Sequence, residues 1–191
     1  MRARWARRLL SGASLLLCAC GTTQAATKTR TDPWAVDNLY PLAVNNAWSY
    51  EVDTGEDGGP ILTTVRVTER TGAMVVVQSG QERLQYRAEA GQLRRVDGGT
   101  VLKAPVAVGE SWASGPTTQA QVVGQVDGLV TPAGTFDGCV EVRESDGRTG
   151  KLVSTTYCPG VGPARVVSEL QLQRGNAQVT ALLRGFLVAP Q

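Results

Sequence analysis

Nowhere in this chain do apolar residues keep a 3.6-residue period through three turns without meeting a glycine. Amphipathic helix, the commonest way to bury an apolar stripe, is therefore closed to most of it. The chain carries instead ten short runs rich in valine, leucine, threonine and aromatic residues, at 48–52, 62–69, 74–79, 83–88, 92–96, 119–126, 139–144, 152–157, 164–172 and 178–188. Turn chemistry separates them: Gly55 to Pro60, Ser79-Gly80, Ala90-Gly91, Asp97-Gly98-Gly99, Asp127-Gly128, Asp146-Gly147 and Gly175-Asn176. Several runs alternate. Val65 and Val67 oppose Arg66, and Val140 and Val142 oppose Glu141 and Arg143, as in antiparallel strands with one wet face. The expected fold class is all-β, a single antiparallel meander of about nine to eleven strands forming a strongly curved sheet, a barrel or a sandwich. Helix is expected only as a turn near Val36 to Leu39.

With 191 residues, 42% apolar and 19% charged, the composition suits one globular domain. Histidine is absent, which excludes a Ser-His-Asp or Cys-His nucleophile, a His-ligated metal and an imidazole switch. No Gly-rich phosphate loop, Gly-x-Ser-x-Gly elbow or Ser-x-x-Lys motif occurs. Neither catalytic residues nor a cofactor or metal is expected, and the chain reads as a non-enzyme.

Arg2, Arg4, Arg7 and Arg8 precede an apolar run from Leu9 to Ala19, the charged and hydrophobic regions of a secretory signal peptide. The run is too short to span a bilayer. Its end, Leu17-Cys18-Ala19-Cys20-Gly21, resembles the lipobox of bacterial lipoproteins, with Cys20 in the modified position. That resemblance implies cleavage before Cys20, diacylglycerol on its sulfur and acylation of its new amino group. Gly21, where an inner-membrane retention signal would place Asp, implies sorting to the outer membrane, with the domain in the periplasm or exposed at the cell surface. Residues 1–19 are thus expected to be removed, 20–33 to form a lipidated cysteine and flexible tether, and 34–191 a single β domain. Losing four of the nineteen basic residues leaves fifteen against seventeen acids, a net charge of −2, so nucleic acid is not an expected partner.

Of the four cysteines, Cys139 and Cys158 remain as a pair in an oxidising compartment. Folding their segment about Gly147-Arg148-Thr149-Gly150 pairs residues whose numbers sum to 297, and the two cysteines are such a pair. A disulfide across an antiparallel hairpin is expected. No Cys-x-x-Cys spacing argues for redox activity.

Pro41-Leu42-Ala43-Val44-Asn45-Asn46-Ala47-Trp48 and Pro105-Val106-Ala107-Val108-Gly109-Glu110-Ser111-Trp112 share Pro-x-Ala-Val-x-x-x-Trp at an offset of 64 residues. Either a binding loop is duplicated, or each turn starts a strand whose Trp plugs the core; the energetics of large aromatics favour the plug. Glu51, Asp53, Glu56 and Asp57 read as a solvated hairpin tip rather than a calcium loop. Asp137 and Glu141 offer a carboxylate pair without any mark of a raised pKa, and Arg94-Arg95 reads as one surface residue and one snorkelling neighbour.

Tyr40-Pro41-Leu42 leading to Trp48-Ser49-Tyr50, Val130-Thr131-Pro132-Ala133-Gly134-Thr135-Phe136 with Cys139-Val140-Glu141-Val142, and Tyr157-Cys158-Pro159-Gly160-Val161-Gly162 together resemble a set of uncharacterised bacterial envelope lipoproteins and secreted β-rich domains. Asn45 stands where that pattern usually has Gly. The resemblance implies an envelope location and a β fold, and attaches no catalytic role to any residue. The function expected is that of an accessory or assembly subunit, held to the membrane by its lipid and binding another envelope protein. The alternative is a carrier or binder of lipid or lipoprotein, similar in plan to lipoprotein-localisation factors, with a cavity lined by Leu182, Val179 and the strand valines.

Overall fold

A computed structural model describes residues 32–172 and 175–189, all within one unit, Thr31–Gln191. The signal peptide, Cys20 and nearly all of the tether lie outside the described residues. One helical turn, α1 (Val36–Leu39), precedes fourteen strands. The first six are β1 (Ala47–Asp53), β2 (Ile61–Thr71), β3 (Met74–Ser79), β4 (Glu82–Glu89), β5 (Gln92–Arg95) and β6 (Thr100–Lys103). Then come β7 (Ser111–Ala113), β8 (Thr118–Val126), β9 (Leu129–Thr131) and β10 (Gly134–Phe136), followed by β11 (Cys139–Asp146), β12 (Lys151–Cys158), β13 (Gly162–Leu172) and β14 (Gly175–Leu187).

Twelve strands form one antiparallel sheet in the order β6-β5-β4-β3-β2-β1-β14-β13-β12-β11-β8-β7, and β9 and β10 form a separate hairpin. The order is two six-stranded meanders joined where β1 pairs with β14. Each expected run lies on a strand. The additional ones, β6, β7, β9 and β10, are only three or four residues long. The sheet curls until its two ends meet: Trp112 Nε1 of β7 donates to the Thr100 carbonyl of β6 at 3.0 Å. Beside that bond Gly99 approaches the Ser114 carbonyl so closely that a Cβ would overlap it. The result is a nearly closed barrel, so the choice among curved sheet, barrel and sandwich resolves to the barrel.

The Pro-x-Ala-Val-x-x-x-Trp echo is a structural repeat. Asn45 N–H donates to the Val67 carbonyl and Val67 N–H to the Asn46 carbonyl, at 3.0 and 2.9 Å. In the second copy Gly109 N–H donates to the Val122 carbonyl and Val122 N–H to the Glu110 carbonyl, both at 2.9 Å. Each turn thereby clasps a fully buried valine of the next strand. Both tryptophans are core plugs, Trp48 1% and Trp112 6% exposed, and not a duplicated binding loop.

The β11–β12 hairpin pairs Val140 with Tyr157 and Val142 with Thr155, so its register sum is 297 throughout. Cys139 and Cys158 form a disulfide with Cα atoms 4.2 Å apart, the close spacing of a non-hydrogen-bonded antiparallel pair.

Candidate functional site

Side chains alternate across each strand, so the pairing assigns the barrel's inner face. Trp48, Tyr50 and Val52 of β1 share that face with Val65 and Thr63 of β2, Ala181 of β14 and Val166 of β13. All four tyrosines of the chain converge inside: Tyr40 stacks edge-on against Trp48 at 5.6 Å and Tyr86 at 6.1 Å, and lies 6.2 Å from Tyr157. Tyr50 Oη donates to the Pro163 carbonyl at 2.8 Å. Burial is the main cause holding all four phenols above their ordinary pKa. Neighbouring tyrosines add to it at Tyr40 and Tyr50, and the Glu144 carboxylate at Tyr157, while Arg95 opposes it at Tyr86. These hydroxyls therefore stay protonated through the physiological range and serve as hydrogen-bonding groups, not as bases.

Three recesses open from this core. One, of about 260 Å³, is walled by Tyr50, Val52, Val65, Val166 and Ala181 and floored by Tyr40. A second, of about 360 Å³ near the β6–β7 seam, is polar, with Arg95, Glu144, Asp146 and Lys151 around Ser114, whose hydroxyl bonds the Glu144 carboxylate. A third, of about 440 Å³, lies between α1 and the β4–β5 turn, against Arg70, Glu89 and Leu93. Among the described residues no group of three or more cysteines and carboxylates is placed to hold a metal ion.

Asp53, Glu56 and Asp57 stand at an exposed hairpin tip, where Asp53 Oδ1 accepts from Gly55 N–H at 2.8 Å, but Glu51 does not: it is half-buried within β1, between Leu62 and Leu182, and pairs with Arg184. Asp137 and Glu141 have separate tasks. Asp137 accepts from Gly128 N–H at 2.7 Å, whereas Glu141 binds Arg143 at 3.2 Å and Arg165 at 3.4 Å. Arg94 and Arg95 are both exposed, and they differ as expected: Arg94 faces outward, while Arg95 lies opposite the buried Tyr86 on the inner face, lines the polar recess and pairs with Asp97 at 3.5 Å. Leu182 is corrected. It pairs with Glu51 and Arg165 on the outer face, because the bulge between Ser49 and Tyr50 resets β14, while Val179 remains on the inner face beside Ala181. The tyrosine cluster was missed by sequence reasoning, although Tyr50 and Tyr157 stand in phase with the inward residues Trp48 and Val140.

The three motifs of the resemblance meet at one end of the barrel. Trp48 Nε1 donates to Val161 O at 2.6 Å, and a Cβ at Gly162, where φ is +111°, would lie 2.9 Å from Trp48 Nε1. The β9–β10 hairpin is held to β14 by Ala133 N–H donating to Leu183 O at 3.0 Å, and Phe136 lies 6.0 Å from Phe186. These motifs encode packing.

Comparison with protein-family models and with curated proteins finds no match. Two solved structures are similar. One, a candidate exported protein of Bacteroides fragilis with a YmcC-like fold, aligns over 78% of this chain and 98% of its own at 13% identity and a TM-score of 0.50. The other, a candidate lipoprotein of Parabacteroides distasonis, aligns over the same shares at 13% identity with a TM-score of 0.42. What the first likeness shows is the fold, and this chain shares the YmcC-like barrel.

Proposed function

We propose that this chain is a non-catalytic envelope lipoprotein, anchored through Cys20 at the outer membrane and acting as an accessory or assembly subunit that binds a protein partner. The anchor rests on the lipobox, and export is in keeping with the description of the Bacteroides fragilis structure. One observation carries the partner-binding reading. The barrel fills its interior with its own four tyrosines and Trp48, leaving shallow recesses at the small end of ligand pockets, so what it offers is its outer surface. A second reading, lipid carriage, is favoured by the apolar recess between Val52, Val65, Val166 and Ala181. Native mass spectrometry of the mature protein extracted gently from its own membrane separates the two. A stoichiometric protein adduct is the expected result; a bound lipid with no protein overturns the subunit reading in favour of the carrier.

A further inference from the structure

The chain enters the barrel at one end, and that end differs from an ordinary surface. Trp34 Nε1 donates to Gly138 O at 2.8 Å, Asn38 Nδ2 to Pro33 O at 2.7 Å, and Gly160 N–H to Asn38 O at 2.9 Å. These bonds pin the first described residues against the β10–β11 and β12–β13 turns. Eleven residues lie between Cys20 and Asp32, a reach of at most about 40 Å when extended. Four of the large exposed apolar side chains stand at this same end: Val44 at 43%, Val130 at 71%, Phe186 at 43% and Leu187 at 67%. Pairing places them round one rim, on both faces of the sheet, since Phe186 pairs with the inward Trp48 and Leu187 with Ala47. Leu187 lies opposite Ala47, three residues after Val44, while Phe186 touches Phe136, whose neighbour Thr135 pairs with Val130. Ile61, Leu62 and Val179 form a second exposed apolar set at the far end of β1 and β14, so what distinguishes this set is that the anchored chain emerges beside it.

We propose that this end of the barrel, with Val44, Val130, Phe186 and Leu187 at its rim, seats on the lipid surface that holds the Cys20 anchor. The β1–β2, β11–β12 and β13–β14 turns then face away from the membrane. The proposal deepens the lipoprotein reading and rests on it. Tethering by one segment leaves a domain free to tumble, whereas apolar side chains entering the headgroup boundary beside the tether fix its orientation. The local charges say how. Arg66 flanks Asn45, while Asp127 and Asp137 stand at the neighbouring turns, each accepting from a glycine N–H at 2.7 Å. Two carboxylates at the surface do not favour anionic lipid, so the contact is apolar and insensitive to salt.

Trp34 supplies the probe, since Trp48 and Trp112 are buried in the core and Trp5 leaves with the signal peptide. The lipidated chain is reconstituted in phosphatidylcholine–phosphatidylethanolamine vesicles brominated near the headgroup, and its emission is compared with that of Trp34→Phe to isolate the Trp34 component. The expected result is loss of Trp34 emission, unchanged by salt and abolished in Val130→Asp/Leu187→Asp. Intact mass is recorded on the same sample. A lipidated chain whose Trp34 stays unquenched, or is quenched equally in the double variant, overturns the docking and leaves the anchor standing. A Cys20 without lipid overturns the anchor and the docking with it.

Discussion

Asn45 shows how one residue type can be read from its counterpart in a repeat. It is the one non-glycine among the described residues with positive φ, at 75°, and its equivalent in the second copy is Gly109 at 94°. Asparagine tolerates this region better than other side chains with a Cβ, and glycine tolerates it freely. Asn45→Gly is therefore expected to leave stability within about 0.5 kcal/mol, while Asn45→Ala lowers it by about 1 kcal/mol, both measured by urea unfolding. The position of Asn45 in the Pro-x-Ala-Val-x-x-x-Trp echo was legible in the sequence; its conformation was not, because φ follows from the clasp onto Val67. Thr156 is a second such case. It is 1% exposed and its Oγ1 has no hydrogen-bond partner among the described residues, on the outer face where the pairing sets it between Glu141 and Arg165. A buried hydroxyl without a partner costs more than the methyl that would replace it. Thr156→Val should thus raise stability by about 1 kcal/mol, visible as a higher urea midpoint at unchanged slope.

At the scale of the element, the β11–β12 hairpin was legible down to its register. Gly147 to Gly150 mark the turn, and period-two alternation from Val140 leaves one pairing that buries both valines. The disulfide closes this hairpin where its strands join the rest of the sheet, β11 against β8 and β12 against β13. Its effect lies mainly in the unfolded chain, which the link denies the freedom of a 19-residue separation. Replacing both cysteines by alanine should cost about 3 kcal/mol, read from denaturant curves of the oxidised parent and the variant. A variant as stable as the parent would mean that the hairpin is already closed in the unfolded ensemble. The short strands β6, β7, β9 and β10 were not legible, for a physical reason. Three or four residues carry too little period to register, and Thr100–Lys103 and Ser111–Ala113 extend by pairing with the strands beside them, β6 on β5 and β7 on β8.

The same limit holds for the whole molecule: alternation announced an antiparallel sheet, but closure depends on contacts between residues far apart in the chain. Trp112 reaching Thr100, and Gly99 admitting the Ser114 carbonyl, are properties of the seam that no local pattern declares. The tyrosine cluster is a product of the same closure, since Tyr40, Tyr50, Tyr86 and Tyr157 come from α1's end, β1, β4 and β12 and meet only once the sheet curls. Closure gives the molecule a pH limit on the alkaline side. In the unfolded chain each phenol titrates at its ordinary value of 10.0, whereas in the barrel burial holds all four above it. Above pH 10 the unfolded chain therefore loses protons that the folded barrel keeps, and stability falls as pH rises. Each tyrosine steepens that fall by up to about 1.4 kcal/mol per pH unit. The tyrosine contribution is fully present below pH 10 and is lost as pH rises toward the raised folded values. Urea midpoints should accordingly change little with these groups up to about pH 9 and drop steeply above pH 10. Tyr157→Phe should shallow the drop, because it removes one titrating group while keeping the ring against Tyr40. An alkaline limb equally steep in Tyr157→Phe would show that its phenol is not held in the protonated form by the closed barrel.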